Sequence, residues 1–200
     1  WQSQNANKFM AVGYVQVYGE KLEVTNVALD ATVTGKWTNG DDLTLNNDRP
    51  LSMITDGIKD NVNGNYGEFG QDGKKESSYV EIDLGKLYTL ENMNLYRYWA
   101  DGRIYDATVI EVSSNPNFTN SVIVYNSDAD NVHGKGAGTD ELYAETATGK
   151  AIEFDKVNAQ YVRIYMYGSN KGTTNHVNEL EIFGMPAVDN SIVSIEFDAE

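Results

Sequence analysis

The segment Asn175-His176-Val177-Asn178-Glu179-Leu180-Glu181-Ile182-Phe183-Gly184 sets Leu180 and Ile182 against Glu179 and Glu181 in strict alternation. A period of two belongs to a strand with one buried face. The same pattern recurs upstream. Tyr79 to Leu84 places Val80, Ile82 and Leu84 on one face, Gly85-Lys86 reads as a turn, and a further strand runs from Tyr88 to Tyr96. Thr108 to Ser113, Ser121 to Tyr125 and Ala151 to Phe154 follow. Tyr161 to Tyr167 turns Val162, Ile164 and Met166 inward and three tyrosines with Arg163 outward. Short strands separated by turn residues predict an all-β chain, a β-sandwich of jelly-roll type.

Composition agrees. Thirteen Tyr, eighteen Gly and only three Pro, with no long amphipathic helical pattern, read as β structure. Two hundred residues bury enough surface for a core without disulfides, and the chain has no cysteine. Fifteen Lys and Arg against thirty Asp and Glu give a net charge of −15. Such a field repels nucleic acid and anionic membranes and suits divalent cations. No run of 18 apolar residues spans a membrane. No signal peptide is visible, and Trp1 stands mid-pattern, so the chain reads as a piece of something larger.

Two polar connections stand out, Thr34 to Lys75 and Asn126 to Gly149. Loops of that length in a compact domain usually carry function. The first is expected to hold one or two short helical turns, and it contains a tight acidic loop, Met53-Ile54-Thr55-Asp56-Gly57-Ile58-Lys59-Asp60-Asn61. Val12 to Gly19 echoes Val177 to Gly184, each a strand ending in an aromatic residue and Gly. Residues 1–24 are therefore read as an extra strand or the tail of a preceding module, 25–185 as the main module, and 186–200 as a linker or the start of a following one. Asp189 to Phe197 alternates again.

With the Asp56-Gly57 loop near one end and the Asn178-Glu179 strand near the other, the chain resembles the discoidin, or coagulation factor 5/8 type C, domain. It is most similar to the bacterial branch, the family 32 carbohydrate-binding modules. The resemblance covers about residues 25 to 185. It implies a discoidin-like β-sandwich with galactose-binding-domain-like topology and one structural Ca²⁺. The ion would be held by the Asp56 and Glu179 carboxylates, the carbonyls of Met53, Ile58 and Asn178, and an oxygen of Asn61. Asp60 is the alternative donor. About six oxygens are at the lower end of what Ca²⁺ takes. Read without the resemblance, Asp56-Gly57 is an ordinary turn and Glu179 a solvated strand residue.

The resemblance also implies a sugar site in loops at one end of the sandwich, where an aromatic ring stacks on the sugar and planar polar groups fix its hydroxyls. The densest aromatic and guanidinium cluster is Tyr96 to Tyr105. From it come Arg97 at the strand end, Tyr98, Trp99 as stacking platform, Asp101 and Arg103. Asn63, Asn65, Tyr66, Glu68 and Phe69 follow the Asp-Gly loop, where relatives often have a His that this chain lacks. Tyr167 and Asn170 would close the pocket. In the plainer reading Trp99 is a core or edge aromatic, and Arg97 and Arg103 pair with Asp101, Asp106 or Glu91.

Catalysis finds little support. There is no Cys, there are only two His, and no Gly-x-Ser-x-Gly elbow or His-Glu-x-x-His motif occurs. Asp128 to Gly134 looks like an EF-hand loop, but Val132 takes the third ligand position and Thr139 stands where the bidentate Glu belongs. The expected protein is a non-catalytic, monomeric module of a secreted or cell-surface bacterial polypeptide. Its partners would be a glycan and the flanking modules of a glycoside hydrolase, with no nucleic acid and no membrane. The alternative is a discoidin-like adhesion or spacer domain that binds protein.

Overall fold

The computed structural model describes residues 22–60, 64–70 and 73–188. The Val12 to Gly19 and Asp189 to Phe197 patterns, the expected metal ligand Asn61 and the loop residue Asn63 lie outside those residues.

Eight strands carry the fold: β1 (Thr25–Asn26), β2 (Thr32–Trp37), β3 (Gly67–Phe69), β4 (Ser78–Arg97), β5 (Thr108–Ser113), β6 (Val122–Asn126), β7 (Lys150–Met166) and β8 (Asn175–Pro186). A 3₁₀ turn, Leu51–Ile54, follows Pro50. All strand pairings are antiparallel. Two strands are unusually long. β4 and β7 pair with each other from Ser78↔Met166 to Leu95↔Lys150, with a register break between Asp83 and Tyr88. Before the break, β4 lies between β2 and the end of β7, and β7 passes the pairing on to β5, which pairs β6. Beyond it, β4 lies between the start of β7 and β8, with β1 and β3 on the far edge of β8. The two layers of the sandwich thus share two strands that cross between them.

The stretch read as a turn, Gly85-Lys86, is this crossing. Gly85 takes φ 78°, a left-handed conformation that costs a residue without Cβ little. The chain bends there without leaving the ladder, so Tyr79–Leu84 and Tyr88–Tyr96 are one strand. In the same way Ala151–Phe154 and Tyr161–Tyr167 merge into β7. The Thr34 to Lys75 connection is not free of strands, since it includes most of β2 and all of β3. Both are short or rich in Thr and Gly, so their alternation is weak. The long Asn126 to Gly149 connection holds no regular element.

The inward faces form one core. Val80, Ile82, Leu90, Met93 and Leu95 of β4 meet Val162, Ile164 and Met166 of β7, Ile110 and Val112 of β5, and Leu180 and Ile182 of β8, all with no solvent exposure. The outer face of β7 is less open than alternation implies. Tyr165 is buried, its hydroxyl donating to Glu111 at 2.6 Å. Leu95→Ala is expected to lower the unfolding free energy by about 2–5 kcal/mol in urea titrations. The exposed Val122→Ala should change it by no more than about 0.5 kcal/mol.

Candidate functional site

β4 ends at Arg97, β5 begins at Thr108, β7 ends at Met166 and β8 begins at Asn175. Antiparallel pairing therefore gathers the segments 98–107, 167–174 and 64–70 at one end of the sandwich. Their centre is His176, which β3 pairing sets opposite Glu68.

Four side chains converge on the nitrogens of the His176 imidazole. The Arg103 guanidinium reaches Nδ1 at 2.6 Å and the Tyr105 hydroxyl reaches it at 3.2 Å. Arginine only donates, so Nδ1 accepts and the ring proton sits on Nε2. Nε2 faces Thr174 Oγ1 at 3.4 Å and Glu68 Oε2 at 3.9 Å. Burial, then the Arg103 and Arg49 charges, push the His176 pKa down to about 3, so the ring is neutral. Tyr66 stands edge-on to it at 5.2 Å and Tyr98 lies tilted at 6.0 Å, the two tyrosines meeting edge to face at 5.3 Å. Each tyrosine carries a guanidinium on its ring. Arg49 lies 4.3 Å from Tyr66 and pairs with Glu68 at 2.5 Å. Arg103 lies 4.8 Å from Tyr98 and is held by both Asp101 oxygens, at 2.9 and 3.3 Å. Arg49 and Asp101 are each about one-third exposed, so the cluster opens to solvent at its rim.

The expected sugar residues divide around this centre. Tyr66, Tyr98, Asp101 and Arg103 belong to it. Trp99 is half-buried in the adjoining loop, its carbonyl accepting from the Gly102 N–H. Asn170 accepts from the Ile104 N–H and thereby pins the loop that carries Arg103. Asn65 turns away toward Asp56 and the Ile58 carbonyl. Tyr167 also lies elsewhere, with its ring near His133 and Lys75. Phe69 is 1% exposed and part of the core, so it has no face to offer a sugar. His176 and Arg49 were not foreseen at this site, and Glu68 only as one of the residues of the loop after the Asp-Gly turn. The only sequence signal for them is the β3–β8 register, which a three-residue strand hardly advertises.

Arg97 is also a correction. Its side chain is 2% exposed and its donors are all directed inward. Nε donates to Glu145 at 2.7 Å, one terminal nitrogen to Thr108 at 2.7 Å and the other to Tyr143 at 2.9 Å. The partner is none of Asp101, Asp106 or Glu91. Burial works against the Arg97 charge, but Tyr143 and Glu145 more than offset it and hold the pKa above the usual guanidinium value. Burial pushes the Glu145 carboxyl upward, and Arg97 draws it part of the way back. Arg97 also stacks on Tyr105 at 4.4 Å, so this ion pair supports the His176 cluster from beneath.

A second cluster surrounds the Asp56-Gly57 loop. Between Tyr96↔Glu179 and Arg97↔Val177 the ladder has a bulge that leaves Asn178 out of register with β4. Asn178 Nδ2 donates to the Asp60 and Asn65 carbonyls, at 3.0 and 3.1 Å. Glu179 is fully buried. Its Oε2 accepts from the Gly57 N–H at 2.9 Å, while Oε1 has no hydrogen-bond partner. Gly57 has φ 83°, the left-handed conformation that aims that N–H at the carboxylate. Burial, with Asp56 and Glu181 nearby, pushes the Glu179 carboxyl up to about 8, although the Gly57 N–H opposes the shift. Lys59 pairs with Glu181 at 2.6 Å and only partly offsets the Glu179 charge from there. Asp56 Oδ1 accepts from the Ile58 N–H at 2.9 Å. Met53 and Ile58 line a hollow of about 460 Å³ with Arg49, Asp60 and Asn65. A buried carboxylate with an orphaned oxygen, a second carboxylate beside it and no nearby His or Cys is a donor set for a hard cation. No group of three His, Cys, Asp or Glu gathers among the described residues, so carbonyl oxygens would have to complete any shell.

No family model and no curated protein matches the chain. Solved structures do. A family 32 carbohydrate-binding module of AlyQ, in complex with 4,5-unsaturated mannuronic acid, is 21% identical with a TM-score of 0.53, over 78% of this chain and 96% of that one. The chain shares the all-β sandwich fold of that module. The chitosan-binding module 1 of a chitosanase/glucanase from Paenibacillus sp. IK-5 is 18% identical with a TM-score of 0.54, over 80% of this chain and 99% of that one. A family 89 glycoside hydrolase from Clostridium perfringens reaches a TM-score of 0.57 at 18% identity, over 86% of this chain but 16% of its own.

Removing one partner from a buried ion pair strands the other charge. Arg97→Met is expected to cost about 3–5 kcal/mol in denaturant titrations, and adding Glu145→Leu should recover most of that loss.

Proposed function

We propose that the chain is a non-catalytic carbohydrate-binding module of the discoidin-like, family 32 kind. It would serve a secreted or surface-attached bacterial glycoside hydrolase by holding it on its glycan, as a monomeric unit among flanking modules. The observation that carries this reading is the His176 cluster. Two tyrosine rings, two guanidiniums each tied to a carboxylate and one neutral imidazole gather at the loop end of the sandwich, within a fold shared with modules that bind sugars. Guanidinium, imidazole and carboxylate groups together supply the planar donors and acceptors that read hydroxyl positions. Ring faces supply the apolar contact. We place Tyr98, Arg103, Asp101, His176, Glu68 and Arg49 at the ligand, with Tyr66 behind the imidazole and Trp99 as a neighbouring wall. Galactose, N-acetylgalactosamine, N-acetylglucosamine and related sugars are the candidate ligands.

The same reading includes a structural Ca²⁺ at the second cluster. Asp56 and Glu179 would hold it, with the carbonyls of Met53, Ile58 and Asn178, and Asn61 as a further donor. The ion would neutralise two carboxylates and tie the Asp56-Gly57 loop to β8.

A glycan array tests the function. The protein should bind a defined sugar class at micromolar to millimolar strength, as expected for a shallow site. His176→Ala and Arg103→Ala should each weaken that binding by roughly tenfold or more, the cost of losing a charge-assisted or buried hydrogen bond, while circular dichroism stays unchanged. Silence of a folded sample across the array would instead favour a protein-adhesion or spacer role. Calcium is tested by thermal melts. Chelation should lower Tm of the native protein by several degrees, as removal of any ligand specific to the folded state does. Glu179→Gln should abolish the difference between chelated and calcium-loaded samples.

A further inference from the structure

A second hollow lies beyond the Arg103 loop, separate from the His176 cluster. It has a volume of about 380 Å³ and lies between Tyr167, the Lys75–Asp106 pair and the long Asn126 to Gly149 connection. That volume is within the range of small-ligand sites. Its walls are partly apolar: Leu142 is 52% exposed and Val132 37% exposed, beside the half-buried Tyr167 ring.

The rim is acidic. Asp106, Asp128, Asp130 and Asp140 line it, against the single ammonium of Lys75. Carboxylates alone would be a solvated edge; here they border an open hollow with an aromatic wall. The protein already fills part of that space with an ammonium. Lys75 Nζ pairs with Asp106 and lies 5.8 Å from the Tyr167 ring. Asp128 is committed to the Val132 and His133 N–H groups, at 2.9 Å each. Asp140 gives one oxygen to the Asn126 N–H at 2.7 Å, and Asp130 is exposed. Carboxylate capacity for a further positive group therefore remains at Asp130 and Asp140.

The wall does not need a ligand to form. His133 bonds Ser77 at 2.6 Å and Lys135 bonds Glu111 at 2.9 Å, which fastens this connection to the sheet. The two clusters are also close along the chain. Asp106 follows Arg103 by three residues, so their backbones stand no more than about 11 Å apart.

We infer that this hollow is a second carbohydrate subsite, one that takes a sugar bearing a protonated amino group. The inference rests on the sugar-binding reading above and extends it. An apolar sugar face would lie against Tyr167 and Leu142 while the ammonium meets Asp130 and Asp140. A glycan chain could then occupy both sites.

Calorimetric titration of the intact protein with the β-1,4-linked glucosamine trimer, and separately with its N-acetylated counterpart, decides the matter at a mildly acidic pH that keeps the amine charged. The free amine should bind more tightly by roughly fivefold, about the most an exposed charge pair provides, and added salt should erode the difference. Asp130→Asn with Asp140→Asn should abolish the preference and leave binding of the N-acetylated trimer unchanged. Tyr167→Ala should weaken the amine trimer without affecting sugars bound through His176. Equal affinity for the two trimers, no binding of the amine trimer, or a preference that survives the double variant overturns the inference. If the array finds ligands sensitive to His176→Ala while any of these results holds, only the second subsite falls. If no glycan binds at all, the sugar-binding reading falls with it.

Discussion

Everything in this molecule depends on the antiparallel pairing of β4 with β7. These strands bend together at Gly85, so each supplies a segment to both layers of the sandwich. The core is closed by the same two strands that form its walls. Their ends also set where the loops go. β4 stops at Arg97 and β7 at Met166. One of the loops that follow carries Asp101, Arg103 and Tyr105, and the other leads into β8 and His176.

The charged groups at that end form two tiers. Below, Arg97 and Glu145 are out of solvent; Glu145 Oε1, Thr108 and Tyr143 take the Arg97 donors, while Glu145 Oε2 has no hydrogen-bond partner and relies on the adjacent guanidinium charge. A buried ion pair adds little to stability, but it fixes geometry because each partner penalises movement of the other. Above, Tyr105 lies over Arg97 and bonds the imidazole that Arg103 also holds. The upper tier, which meets solvent only at its rim, thus inherits its positions from the one beneath it. Glu179 is the opposite case. Its carboxylate is as buried as Glu145, yet it lacks a cationic side chain as partner, and that is the physical reason for placing a cation there.

The sequence shows most of the fold and part of the site. Alternation in Tyr79–Leu84, Thr108–Ser113, Tyr161–Tyr167 and Leu180–Ile182 marks the central strands because one face of each is completely buried. β1, β2 and β3 are obscured because they lie at edges and are short or rich in Thr and Gly. Arg97 sits in an aromatic, guanidinium-rich run that reads as ligand-binding surface. Only its partner 48 residues away, in a loop without periodicity, shows that it is interior. Phe69 could have been read correctly, since Glu68 and Phe69 alternate and only one can face outward. His176 could not, because its neighbours come from two distant segments, Arg103 and Tyr105 from the loop after β4 and Glu68 from β3.

The central claim is that sugar is held at His176. The most direct measurement is nuclear magnetic resonance of the labelled protein during titration with a sugar it binds, following the His176 ring and Arg103 guanidinium signals. The account predicts that both shift together and saturate with the binding curve, along with backbone signals of Tyr98 and Asp101. Saturable binding that leaves His176 and Arg103 unmoved while other surfaces respond would contradict it.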